Sequence, residues 1–350
     1  MRFNRRTILD SKTGRKWREA GRGRHIDPEL AGVRQGGSSP DAAKIEAAYI
    51  GFGTMLHNRL ARPDVNWRRL ATVIDSDVLL HRELWLDNIP KMRLWEGDKS
   101  LSMLRGESLP IVTRPHEASL LVPKGDIIND RFGLYTGRIN QLADAYDWHL
   151  IEMVIAMLCA GLQGTALGAS YDGQNLIDTD HTALGNGTGT QQSNKVTGAF
   201  SAAVFQSAWN QFLGFVDENG TPYNTMNNRK MLLVHGPANR TAVRTVLQQQ
   251  WIPSLQENMD KGMAEPLLIP WIRAATYNVL GVSITLTGNE WFLLPEGSTS
   301  VLLQRKRMPE FLAVEEGEFT FRTGKYMYGI ESEDGAAYGL WQEIVGGPGS

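Results

Sequence analysis

Residues 134–164 read LYTGRINQLADAYDWHLIEMVIAMLCAGLQG, and this stretch constrains the fold more than any other. Ile139, Leu142, Ala143, Tyr146, Leu150, Met153, Val154, Met157 and Leu158 recur every three or four residues, which predicts one apolar helical face. No proline interrupts the run. A helix of this length is a rod of roughly 45 Å, well beyond the usual globular helix. Asp126, Asn129 and Asp130 stand just upstream, where capping and acidic residues suit a helix start. Leu150 to Leu162 is almost wholly apolar but short and carries Glu152, so it reads as a buried core helix and not a membrane span. A single spine helix in a mixed chain predicts a scaffold on which other pieces hang.

The 350 residues suffice for two domains, and 42% hydrophobic with 21% charged residues is ordinary for a globular protein. Ten tryptophans point to large buried contacts within or between subunits. The lone Cys159 excludes an internal disulfide and reads as a small core residue. The N-terminus is basic without a following apolar stretch, so no signal peptide is expected and synthesis is expected in a cytoplasm.

The formal charge of −2 hides an asymmetry. Arg2, Arg5, Arg6, Lys12, Arg15, Lys16, Arg18, Arg22 and Arg24 face only Asp10 and Glu19 in residues 1–24, giving +7, so the remainder sums to −9. A basic arm on an acidic body can bind nucleic acid or an acidic neighbouring subunit, or simply be solvated. Residues 1–40, ending in GGSSP, lack a core-forming period and read as that arm. A helix is expected from Asp41 to about Arg62. Between Leu84 and Pro123, two extended runs flank the charged segment EGDKSLSMLRGE, and Pro110 and Pro115 demote the second run to an edge strand. Such a hairpin cannot cover itself, and another subunit is the natural cover.

Beyond the spine, a loop-rich stretch precedes a helix over Ala202–Val216, a strand Met231–Val234 and a second helix. Strands are expected at Val279–Leu286, Trp291–Leu294 and Val301–Gln304. Phe319 to Val345 reads as one or two long strands around a Ser-Glu-Asp-Gly turn, with GGPGS as a disordered end.

Motifs for chemistry are weak. Asp178, Asp180 and His181 are of metal-ligating type. Two neighbouring ligands without an HExxH or CxxC partner are an incomplete set, and turn chemistry accounts for the same residues. Gly185, Gly187 and Gly189 give G-x-G-x-G without a leading strand, and Gly324-Lys325 lacks the earlier P-loop glycine. No G-x-S-x-G occurs, and His149 and Cys159 lie about three helical turns apart. No catalytic constellation, metal or cofactor is expected.

Four further blocks stand in fixed order along the chain. The first begins at Trp67, WRRLATVIDSD, and the second is IPKMRLWEGD, with Pro90, Lys91, Arg93, Trp95, Gly97 and Asp98. The third is VPKGDIINDRFGLY at Val122–Tyr135. The fourth is YDGQNLIDTDH, with Tyr171, Asp172, Gly173, Asp178, Asp180 and His181, followed by QQSN at Gln191–Asn194. Together they resemble the major head protein family of Mu-like tailed phages. The second block is similar to that family's Pro-Lys-x-Arg-x-Trp-x-Gly-Asp signature, and the third to its V-x-R-x-x-I-x-x-D-x-x-G-x-Y pattern, with Lys124 where Arg is usual and Asn129 less acidic.

The resemblance implies an α+β tailed-phage capsid fold. Its parts would be an arm (1–40), a peripheral domain with the spine (41–87, 122–167 and 309–350), an extended hairpin loop (88–121) and an axial domain (168–308). It implies a non-enzymatic major capsid protein forming pentamers and hexamers in an icosahedral, virion-located shell around double-stranded DNA, assembled in the cytoplasm of a bacterial host. Expected partners are a portal protein, a separate scaffolding protein, since only about 40 residues precede the first helix, and a decoration protein, with no membrane. Subunit-interface candidates are Trp85, Lys91, Arg93, Trp95, Glu96, Asp98, Lys99, Arg105 and Glu107, with Trp67 a further packing candidate. An encapsulin-like nanocompartment is the alternative within the fold, and a metal-dependent hydrolase using Asp178, Asp180 and His181 the alternative outside it.

Overall fold

A computed structural model describes residues 40–61, 66–76, 80–86, 106–129, 131, 133–164, 166–182, 190–217, 220–224, 229–251 and 257–349. In chain order, α1 is Pro40–Leu60, α2 Asn66–Leu70, β1 Thr72–Asp75, β2 Leu80–Leu86, β3 Gly106–Val112, β4 Arg114–Pro123 and α3 Lys124–Ile128. The spine helix α4 is Gly133–Gln163, followed by α5 Ala202–Gly214, β5 Met231–His235, α6 Arg240–Leu247 and β6 Glu265–Leu268. The chain continues through β7 Ala274–Val279, β8 Val282–Thr287, β9 Trp291–Pro295, β10 Val301–Val314, α7 Glu318–Thr323, β11 Lys325–Tyr338 and β12 Val345–Gly347.

The spine occupies the stretch its period predicts. Every named apolar position from Ile139 to Leu158 is buried. Its most apolar window is 78% buried inside the protein, the setting of a core helix. Its start differs from expectation. Asp126 lies within α3 and Asn129 ends that helix, its N–H bonded to the Gly125 carbonyl. Asp126 instead accepts a 2.5 Å hydrogen bond from Tyr135 in the first turn of the spine. Asp130 lies outside the described residues.

The chain divides into two compact units. The first comprises the chain up to Asp64, Pro115–His149 and Arg307–Asp334. Its core is aromatic: Tyr49 packs 5.4 Å from Phe311, and Phe52 meets Tyr328 edge-on at 5.2 Å. Arg59 of α1 hydrogen-bonds Asp144 of the spine at 2.5 Å, and Lys44 donates to the Ile128 carbonyl at 2.7 Å. β4 is the end strand of its sheet, beside β11, which accommodates Pro115 as expected.

The second unit comprises Val65–Arg114, Leu150–Lys306 and Gly335–Ser350. Its central sheet has the order β12-β9-β5-β6, with β5 parallel to β6 and antiparallel to β9. β5, β9 and β12 are buried along their whole length, the continuous apolar pattern of strands covered on both faces. Ser201 caps α5, its hydroxyl accepting from the Val204 N–H. β1 pairs in parallel with Leu302–Arg305 of β10. Trp67 is 1% exposed, under the Arg305 guanidinium, which also grips Asp75 at 2.9 Å through two nitrogens. Trp67 is therefore a core residue of this unit.

Three expectations for the C-terminal third are corrected. β10 runs ten residues past Gln304. Glu318–Thr323 is a helix, closed by Gly324 at φ 64°. No turn forms at residues 332–335, where β11 passes straight through. Asp334 is fully buried and accepts from Ser332 on its own strand and from Tyr146 of the spine. Gly335 allows a close approach: a Cβ there would lie 2.4 Å from the Val112 carbonyl oxygen. Gly335→Ala is expected to cost about 2 kcal/mol by overpacking, read as a lower urea midpoint. Nor is the end disordered: Gly346 and Gly347 form buried β12, and a Cβ on Gly347 would meet the Val196 carbonyl oxygen at 2.4 Å.

Candidate functional site

The segment after the spine builds the best-defined polar constellation among the described residues. Its residue types are turn formers, and their side chains bond back onto the loop. Gly173 adopts φ 83°, and its N–H donates to the Ser170 carbonyl. Asp178 accepts from the Thr179 N–H at 2.8 Å and from the Asn175 amide at 2.6 Å. The Tyr171 hydroxyl accepts from the Gln342 amide at 2.7 Å.

His181 does not converge with Asp178 and Asp180. Its Nδ1 lies 2.7 Å from Oδ2 of Asp172, and both side chains are fully buried. The same Asp172 oxygen accepts from the Thr182 N–H at 3.3 Å, while Oδ1 accepts from the Gln174 N–H at 3.2 Å. The imidazole stacks on Trp341 at 4.4 Å with planes 10° apart. Asp180 is half-buried. No group of three or more His, Cys, Asp or Glu side chains able to hold a metal forms among the described residues. The hydrolase alternative loses its ligand set, because the histidine is held by a different carboxylate and Asp178 is occupied by loop donors.

Asn194 closes the loop onto the rest of its unit. It is fully buried, and each polar atom is engaged. Its Nδ2 donates to the carbonyls of Leu176 at 2.8 Å and Trp341 at 3.1 Å, while Oδ1 accepts from the Asp178 N–H at 2.8 Å. Its own N–H donates to the Asp178 carbonyl, and its carbonyl accepts from Gly346. His181 and Gln192 form an antiparallel bridge, and Lys195 donates to the Leu162 carbonyl near the end of the spine. Nearby, Glu343 is buried. Burial pushes its pKa up, but Arg229 at 2.6 Å and the Thr299 N–H outweigh this and hold it below the usual carboxylate value. Tyr338 donates to the Met157 carbonyl, and burial raises the Cys159 thiol pKa. The loop thus clasps spine, sheet and C-terminal segment together. Asn194 lies in the QQSN segment with nothing local that marks its role, and Trp341 and Gln342 carry no local signal.

The hairpin expected to reach a neighbour is antiparallel, with Leu80 opposite Val112 and Leu86 opposite Gly106. Pro110 faces Arg82, and Trp85 faces Glu107. Each strand of this two-stranded ladder is an edge, so proline is tolerated. Lys91, Arg93, Trp95, Glu96, Asp98, Lys99 and Arg105 lie outside the described residues, as do all nine basic residues of the arm and Gly185, Gly187 and Gly189. Gly324 ends a helix and Lys325 begins a strand, so that pair has no phosphate-binding geometry. An open depression of about 570 Å³ along α5 is lined by Ala203, Gln206, Ser207, Asn210 and Gln211, none of them titratable.

A hairpin, a long buried spine and a following α/β unit, in this order, define the tailed-phage capsid fold. The structure aligns with the capsid protein of cyanophage P-SCSP1u at a TM-score of 0.51 and 10% identity, covering 79% of this chain and 86% of that one. In sequence, residues 45–206 match the Mu-like prophage major head subunit gpT family. It is 30% identical over 173 residues to the Mu-like prophage FluMu major head subunit of Haemophilus influenzae, spanning 49% of this chain and 54% of that protein. It is 22% identical over 148 residues to the major capsid protein of Escherichia phage Mu, spanning 42% and 47% respectively. The chain therefore spans about half the length of the curated relatives it matches.

Proposed function

We propose that this chain is the major capsid protein of a Mu-like phage or prophage head. Copies assemble as pentamers and hexamers into an icosahedral shell that encloses double-stranded DNA. The observation that carries this reading is the family match over residues 45–206, which takes in hairpin, spine and clasp loop in one continuous block. In this reading residues 41–87, 122–167 and 309–350 are peripheral, 88–121 extend over a neighbouring subunit, and 168–308 pack around the symmetry axes. Trp85, Lys91, Arg93, Trp95, Glu96, Asp98, Lys99, Arg105 and Glu107 line the contact made by the extended loop. Ladder groups left open by a two-stranded hairpin find their partners there. A separate scaffolding protein, a portal and a decoration protein complete the set of partners. Contacts with packaged DNA are sequence-independent phosphate contacts that weaken with salt.

Expression of the chain alone and beside a candidate scaffolding protein, followed by size-exclusion chromatography and negative-stain electron microscopy, tests this. Closed shells, or rings of five and six subunits, are expected. A stable monomer or dimer under both conditions overturns it.

A further inference from the structure

We draw no further inference here: the strongest candidate, the exposed surface patch at Phe321 of α7, is an apolar face and nothing in the structure shows what covers it.

Discussion

Asn194→Asp is expected to abolish the folded second unit or to weaken it by about 4 kcal/mol or more. The amide nitrogen that bonds Leu176 and Trp341 becomes a carboxylate oxygen facing two carbonyl oxygens, in a site with no exposure to water. A buried charge is then unpaired, and two buried carbonyls lose their donor, each a costly event. Asn194→Ala retains neither the donor nor the acceptor for the Asp178 N–H, and is expected to cost about 3 kcal/mol. Urea unfolding followed by tryptophan fluorescence reads both, since Trp291 and Trp341 are buried in this unit. A midpoint unchanged by Asn194→Ala would show that the clasp contributes nothing.

The second large effect is one of pH. His149 on the spine and His116 on β4 have ring centroids 4.0 Å apart. Burial, and then the neighbouring His116, lower the His149 pKa from 6.5 to about 4. Between these values the unfolded chain binds a proton that the folded chain does not, so stability falls as pH drops from 6.5 towards 4 and this loss then levels off. The full loss is about 3 kcal/mol at 1.36 kcal/mol per pKa unit. Burial also lowers the pKa of His57 and His235, so the native protein alone does not isolate the pair. The native-minus-variant difference in unfolding free energy for His149→Phe should fall by about this amount between pH 7 and pH 4. A difference that does not change with pH removes the assignment.

Much of the frame was legible in the sequence because its signals are local. A 3.6-residue apolar period without proline specifies a helix before any tertiary contact is known, and the spine appears where that period runs. The hairpin of β7 and β8 shows the limit: its turn uses Leu280 at φ 52° and Gly281 at φ 83°, but only the second strand carried a clear pattern. α7 was missed because EFTFRT alternates like a strand, and only the glycine at its end signals a helix stop. The clasp was illegible for a different reason. Asn194 and the Trp341 carbonyl it bonds are 147 residues apart, and no spacing rule joins them. The metal-like DTDH motif misled because the carboxylate that holds His181 lies nine residues away, outside the motif.

The boundaries between the two units fall at residues 114/115, 149/150, 306/307 and 334/335, inside β4, the spine, β10 and β11; the fifth, at 64/65, lies outside the described residues. None of these four crossings is an exposed loop, so none of the four is a seam at which a protease or a cloning strategy can separate the units. Limited digestion should nick surface loops without releasing either unit intact. A recombinant fragment cut at any of these four points would break a helix or a strand, so the backbone of each unit is completed by elements that begin in the other.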